Sequence, residues 1–348
     1  MTTALFLAST PLHSFWSLGL AHGPFRDGRC ALALIDQRDG DRDFIAEVLA
    51  ARSDTPVREV RRFPRIGKNV ASKLRNARRV IGEVAELSRR LQPAHVVVGN
   101  DRRIEFYAAL AGTPEAVGAY IDDGMFSYMP MFPRQTPAPL RAGNDAVRRW
   151  LYGLPAEHPP FVGGSRAARE AWVMLPELVH QGLRGKTTRG IDAAWFRDEG
   201  VRRVCADAVG LAGVDARRIG ELRLLLLLPH DAFLRENPDI ARQIGRLARE
   251  HAARGLPVAF KRHPRSTATD TGLLPAGALE IPRRLPVEVL APLLNDVLVV
   301  GTLTTALISL KYLGASTQVR SLSQKSVRPD AAAVYAAAGI AALDALRA

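Results

Sequence analysis

Several residue types are scarce in this chain, and their scarcity narrows its class. Only two of its 348 residues are cysteines, Cys30 and Cys205, which is too few for a disulfide scaffold and not the spacing of a metal site. No run approaches the ~18 apolar residues that span a membrane. Residues 1–23 lack the basic start of a secretory signal. We therefore expect a cytoplasmic protein with reduced thiols.

The sequence also lacks the signatures of several common enzyme and binding classes. No G-x-G-x-x-G follows the first apolar run, and neither a nucleophile elbow nor an H-E-x-x-H zinc helix is present. Aromatic residues make up 6% of the chain, so platforms for stacking single-stranded bases are scarce. These absences argue against a dinucleotide enzyme, a serine hydrolase of that type and a nucleic-acid partner.

The chain has instead the composition of a globular protein with a strong positive charge. Hydrophobic residues make up 47% and charged residues 24%, and the net charge is +13. Residues 57–92 contain eleven basic residues and three acidic ones. This basic region, residues 58–90, is interpreted either as a solvated helix face or as a surface that attracts an anionic membrane or polysaccharide.

Short apolar runs alternate with amphipathic segments in both halves of the chain, which predicts an α/β fold. The pattern indicates two doubly wound parallel-sheet domains facing a central cleft, over residues 1–165 and 221–348, joined by a linker with helices over 166–220. An alanine-rich terminal helix is expected over 331–346. The predicted strands are 4–8, 30–35, 57–60, 95–98, 116–121, 222–228, 258–261, 297–300 and 318–321.

Two aspartates follow the predicted strand 116–121, and they are the candidate catalytic carboxylates. Asp122, Asp123 and Gly124 form a triplet that is good turn chemistry in its own right. A carboxylate held at a strand end beside a second one is also suited to general-base catalysis. Glycine would let a substrate approach the backbone there.

Two clusters in the second half are candidate phosphate ligands. The first, after strand 258–261, is the run Lys261 to Arg265, in which His263 and Pro264 stand among cations. The second consists of Gly301, Thr304 and Thr305 at the start of a predicted helix. Helix capping by threonine is the plain interpretation. The functional one is that backbone N–H groups, the helix dipole and two hydroxyls bind a phosphate.

Taken together in this order, the three motifs resemble those of bacterial sialyltransferases and polysialyltransferases. The motifs are Asp122, Asp123, Gly124, then His263, Pro264, then Thr304, Thr305, with threonines where serine is common. The segment from Thr10 to His13 is similar to the loop that opens the acceptor side in those enzymes, although helix capping is its simpler role.

The resemblance implies a GT-B fold and an inverting transfer of sialic acid from CMP-sialic acid, without a metal or other cofactor. The acceptor would be a glycan of a surface polysaccharide, lipooligosaccharide or capsule. Asp122 would be the general base, with the choice between Asp122 and Asp123 left open by their spacing. His263, ideally protonated, and the Thr304–Thr305 pair would hold the CMP phosphate, with Lys261 and Gly301 beside them.

Other interpretations remain open at this point. The donor can be CMP-Kdo or another CMP-linked acid, or a UDP- or GDP-sugar, since nothing in the motifs recognises the sugar. A basic binding module for nucleic acid or anionic lipid is the rival from a different class, with the three motifs serving as turns and caps. The basic region would in either case allow peripheral association with the inner face of the inner membrane.

Overall fold

The protein folds into two α/β units, each built on one parallel sheet. The computed structural model describes residues 3–65, 70–129, 138–263, 265–266, 272–302, 304–314, 317–322 and 329–343. The chain divides into Met1–Gly200 and Val201–Ala348. A seven-stranded sheet lies in the first unit and a six-stranded sheet in the second, and all their strand pairs are parallel. The predicted pair of parallel-sheet domains is confirmed.

The first sheet has the strand order β3-β2-β1-β4-β5-β6-β7. Strand β1, which lies inside the sheet between β2 and β4, is buried at every residue, because both faces of a doubly wound sheet are covered. The chain order reverses between β1 and β4, which creates a topological switch point at the carboxyl edge. The strands are β1 (Ala4–Ala8), β2 (Cys30–Gln37), β3 (Val57–Pro64), β4 (His95–Val98), β5 (Val117–Ile121), β6 (Glu170–Val173) and β7 (Thr187–Gly190).

The helices of the first unit connect these strands. Thr10 caps the first of them, as its sequence position suggested, because its side chain accepts a hydrogen bond from the His13 N–H group. The helices are α1 (Pro11–His22), α2 (Phe44–Ala51), α3 (Val70–Leu91), α4 (Ile104–Gly112), the single turn α5 (Met125–Tyr128) and α6 (Ala138–Tyr152).

The first unit extends further along the chain than the expected boundary at residue 165. Strands β6 and β7 pair in register with β5 and with each other, so they complete the first sheet and do not belong to a linker. Strand β7 reads Thr-Thr-Arg-Gly and is largely exposed, which explains why hydrophobic patterning gave no sign of it.

The second sheet has the order β10-β9-β8-β11-β12-β13, and its switch point lies between β8 and β11. Its strands are β8 (Leu224–Leu227), β9 (Val258–Lys261), β10 (Leu279–Ile281), β11 (Leu298–Gly301), β12 (Gln318–Leu322) and β13 (Ala341–Leu343). The accompanying helices are α7 (Glu199–Leu211), which begins just before the division between the units, α8 (Ala216–Glu221), α9 (Asp231–Glu236), α10 (Pro238–Ala253), α11 (Thr305–Leu313) and α12 (Pro329–Ala337).

The C-terminal segment differs from the single long helix expected over 331–346. Helix α12 ends at Ala337, and Gly339 adopts a left-handed φ of 69° that lets the chain turn. The following residues form β13, which pairs parallel with β12. Alanine-rich sequence favours a helix locally, but pairing with an open sheet edge prevails over that preference here.

The described part of the basic region has a structural explanation. In α3 the apolar residues Ala77, Val80, Val84 and Leu87 are buried, whereas the charged residues of that helix from Arg78 onward are exposed. Strand β3 is an edge strand, and its exposed arginines discourage pairing with another sheet. Arg61 and Arg90 both form ion pairs with Glu59. These facts favour the solvated-face interpretation, and Lys68 lies outside the described residues.

Within the described segments, no helix is both long enough and apolar enough to cross a bilayer.

Candidate functional site

The first cluster of polar side chains lies at the carboxyl edge of the first sheet. Neighbouring strands β1, β4 and β5 end in register there, with Leu7 opposite Val98 and Val98 opposite Tyr120. The residues that follow these strands therefore meet at the switch point between β1 and β4. Ligands of doubly wound sheets bind in this position.

Asp123 and His13 form a hydrogen-bonded pair at this edge. The Nε2 atom of His13 lies 3.0 Å from Oδ1 of Asp123. The backbone N–H of Ser9 donates to His13 Nδ1 at 3.3 Å, and since that group can only donate, the imidazole carries its hydrogen on Nε2 and donates it to the carboxylate. The His13 side chain is 1% exposed and that of Asp123 is 20% exposed. The carboxylate thus reaches solvent with a fixed imidazole behind it.

Gly99, the residue after β4, makes room for the His13 ring. A Cβ atom at position 99 would overlap the Nε2, Cε1 and Cδ2 atoms of that ring. The imidazole therefore lies directly over the end of β4 and bridges from the β1 side of the sheet to Asp123 on the β5 side.

Asp122 is in a different environment from its neighbour, although both follow the same strand. It is 0% exposed. Gly124 N–H and the Ser127 hydroxyl donate to its Oδ1, at 2.7 and 3.1 Å, while the Tyr128 hydroxyl and Met174 N–H donate to its Oδ2. Burial raises the pKa of Asp122 to about 6, and these four hydrogen bonds oppose the rise.

This arrangement separates the two candidate carboxylates by role. Asp122 joins β5 to the turn α5 and to the residue after β6. Because it is buried, it cannot reach the hydroxyl group of an acceptor substrate. Gly124, which the turn requires because its φ is 66°, completes that scaffold. The resemblance implied that Asp122 is the base, whereas the exposure and partners of the two residues favour Asp123.

We expect Gly99→Ala to lower the free energy of unfolding by about 1–3 kcal/mol, because the added methyl group overpacks the space that His13 occupies. In a His13→Ala background the same change meets a cavity and costs much less. Urea unfolding of the four proteins in this double-mutant cycle measures the coupling. Additive effects of the two substitutions would contradict the placement of the ring over Gly99.

The second cluster lies at the carboxyl edge of the second sheet. Lys261, Leu227 and Gly301 are register neighbours at the ends of β9, β8 and β11. His263 and His230, which follow β9 and β8, lie with their ring centroids 5.6 Å apart. Nδ1 of each ring accepts a backbone N–H, at 3.2 Å from Arg265 and 3.2 Å from Ala232. Each neutral imidazole therefore carries its hydrogen on Nε2, ready to donate.

The charge state of His263 differs from the expectation of a protonated ring. Burial lowers the pKa of His263, and His230 and Arg265 lower it further. Because Nε2–H is already a donor in the neutral ring, the imidazole can donate to a phosphate oxygen without an added proton.

The cations expected around His263 are largely engaged elsewhere. The Lys261 ammonium donates to the carbonyl groups of Pro282 and Arg283, at 2.8 and 3.2 Å, and burial lowers its pKa to about 8. Arg262 pairs with Glu280 at 3.1 Å. Lys261 thus supports the loop after β10, and the structure does not leave it as a phosphate ligand. Pro264 lies outside the described residues.

The start of α11 presents the third sequence motif. Thr304 is the N-cap residue, but its side chain makes no capping hydrogen bond. Its backbone N–H donates to the Tyr335 hydroxyl and its carbonyl accepts from it, both at 2.6 Å, so α12 fixes the start of α11. Thr305 is the first helical residue. Gly301 packs closely on Leu227: a Cβ atom at position 301 would lie only 3.0 Å from the Leu227 Cβ, which gives this glycine a packing role.

Sequence reasoning missed three residues of these clusters: His13 as a partner of Asp123, Gly99 and His230. His13 and Asp123 are 110 residues apart, so no local pattern connects them. A usable signal existed, because all three follow apolar runs that became strands beside the switch points. The rule that ligands bind at such strand ends would have drawn attention to them.

No protein-family model matches the sequence, and no curated protein matches it. Solved structures share its fold at low identity. UDP-GlcNAc 2-epimerase from Methanocaldococcus jannaschii is 12% identical with a TM-score of 0.50, and the match covers 96% of this chain and 87% of that one. MurG from Acinetobacter baumannii is 10% identical with a TM-score of 0.45, covering 98% and 85%. The similarity to the epimerase supports a GT-B-like fold of two Rossmann-like domains.

Proposed function

We propose that this protein is a glycosyltransferase that uses a nucleotide-sugar donor. The observation that carries the proposal is the Asp123–His13 pair at the switch point of the first sheet, since it offers a solvent-reaching carboxylate with a fixed partner. The GT-B-like fold and the hydrogen-bond donors at the corresponding edge of the second sheet support it further.

The proposed reaction is a single displacement at the anomeric carbon of the donor sugar. Asp123 accepts the proton of an acceptor hydroxyl as its oxygen attacks the anomeric carbon of the donor sugar. The bond between that carbon and the nucleotide phosphate breaks, and the electron pair leaves with the phosphate. A single displacement of this kind inverts the anomeric centre.

The departing phosphate gains negative charge, which fixed donors stabilise most when they need no rearrangement. We assign this task to the Nε2–H groups of His263 and His230 and to the start of α11 with the Thr304 hydroxyl. His13 acts as a positioning residue, because it orients Asp123 and is itself buried.

The donor is proposed at the level of a nucleotide sugar, with a UDP-sugar first and CMP-sialic acid second. The solved structure with a TM-score of 0.50 is, by its name, an enzyme of UDP-GlcNAc, which favours UDP. The sequence motifs resemble those of sialyltransferases, which keeps the CMP donor as the alternative.

A thermal-shift panel of UDP, CMP, GDP and dTDP tests the nucleotide. We expect one of them to raise the melting temperature, because a ligand at a hundred times its Kd stabilises the folded state by about 2.7 kcal/mol. His263→Ala should weaken that shift, whereas Asp123→Asn should leave it intact. If no nucleotide has an effect and DNA binds with a steep dependence on salt, the rival of a basic binding module is favoured instead.

A further inference from the structure

Helix α6 exposes an unusual number of large apolar side chains. Leu140 is 61% exposed, Val147 is 59% exposed and Trp150 is 84% exposed. Among the described residues, the only other large apolar side chain in this class is Leu211, at 45%. Exposed apolar residues are ordinary when they are scattered singly, but three on one short helix indicate a surface that something covers.

The three side chains share one side of the helix. At ~100° per residue, Leu140, Val147 and Trp150 fall within an arc of about 80°. Asp145 and Arg149 lie on the opposite side of the helix, and Asp145 is partly buried. Among the residues 139–150 whose burial is described, all but Asp145 are exposed, so the apolar side of α6 faces water and is not packed on its own domain.

The charge of α6 identifies what covers it. The helix sequence contains three arginines, at positions 141, 148 and 149, and one acidic residue, Asp145. With a net charge of +13 for the whole chain, an anionic surface is attracted and a second copy of the chain is repelled. Three side chains also fall well short of the ~800 Å² per partner of a stable protein interface.

We propose that α6 lies in the surface of an anionic lipid bilayer. Leu140, Val147 and Trp150 insert at the boundary between headgroups and acyl chains, and the net positive charge of the helix sequence attracts it to the anionic surface. Trp150 is suited to this depth, since tryptophan is enriched where an apolar environment meets water. This inference does not depend on the proposed function, and it differs from attraction by the basic region, which supplies charge but no insertion.

Vesicle flotation of the full chain tests the proposal. We expect binding to vesicles of phosphatidylcholine with phosphatidylglycerol, and little binding to phosphatidylcholine alone. A triple variant with Leu140→Ser, Val147→Ser and Trp150→Ser should bind the anionic vesicles with an affinity lower by about tenfold or more. Leu211→Ser is the matched control and should bind as the wild type does. These exposed substitutions should leave the melting temperature unchanged.

Quenching by brominated lipid locates the insertion. Tryptophan fluorescence of the wild type should be quenched by brominated anionic vesicles, and Trp150→Phe should remove most of that quenching although three tryptophans remain. Equal flotation of wild type and triple variant would overturn the proposal in favour of the basic region. A dimer in sedimentation velocity that the triple variant abolishes would overturn it in favour of self-association.

Discussion

Asp123→Asn should reduce kcat by about two to four orders of magnitude, the usual contribution of a general base. The amide keeps the shape of the side chain and its contact with His13, whose Nε2–H can donate to the amide oxygen. It cannot accept the proton of the acceptor hydroxyl. We expect little change in the KM for the donor, because the carboxylate acts on the acceptor and not on the nucleotide. The measurement is steady-state release of nucleotide in the presence of an acceptor.

His13→Ala is the companion variant for this prediction. A positioning residue should cost less than the base itself, so we expect a smaller fall in kcat than for Asp123→Asn. The two losses should not add, since both act through one carboxylate. Turnover within a few-fold of wild type in Asp123→Asn, with the fold intact, would remove Asp123 from the mechanism.

Asp122→Ala should destabilise the first unit before it affects chemistry. The substitution leaves the buried Tyr128 hydroxyl and Gly124 N–H without an acceptor, and it removes one of the two acceptors of the Met174 N–H. An unsatisfied buried group costs about 1–3 kcal/mol, so these losses should lower the free energy of unfolding by about 3 kcal/mol or more. Urea unfolding measures it. The Asp123 side chain is not buried to this extent, so Asp123→Asn should have nearly the same free energy of unfolding as the wild type.

The Asp122 variant also separates the two possible bases. A stably folded Asp122→Ala protein that has lost turnover would restore the role that the sequence resemblance implied for Asp122. A scaffold role for Asp122 predicts two results together. The Asp122→Ala protein should be destabilised, and the Asp122→Asn protein should retain activity at low temperature. The two aspartates are adjacent in sequence, so they are well matched controls for each other.

Much of the fold was predictable because buried parallel strands have a simple sequence pattern. The bounds of β1, β4 and β9 agree with the predicted segments 4–8, 95–98 and 258–261. Each is a short apolar run between clear turn signals. The elements that were missed lack that contrast. Strand β7, for example, has too few apolar residues to be recognised as a strand.

The candidate site was predictable in outline but not in detail. Strand ends carrying Asp122, Asp123 and His263 were recognised, because polar residues after an apolar run mark the carboxyl edge of a sheet. Which aspartate reaches solvent depends on Tyr128 and Met174. Met174 follows a different strand, β6, and is 52 residues from Asp122 in the sequence. The engagement of Lys261 by carbonyl groups of Pro282 and Arg283 depends likewise on how β10 pairs. Such facts arise from tertiary packing.

One measurement decides whether this protein is a glycosyltransferase of the proposed kind. It is the acceptor-dependent turnover of a nucleotide sugar by the wild type and by one variant in each unit. Wild type, Asp123→Asn and His263→Ala are compared with UDP- and CMP-sugars, with nucleotide release as the readout. We expect turnover of one donor by the wild type, a fall of about a hundredfold or more in Asp123→Asn with nucleotide binding retained, and weakened nucleotide binding in His263→Ala. Turnover that both variants retain, or no turnover of any nucleotide sugar, would contradict it.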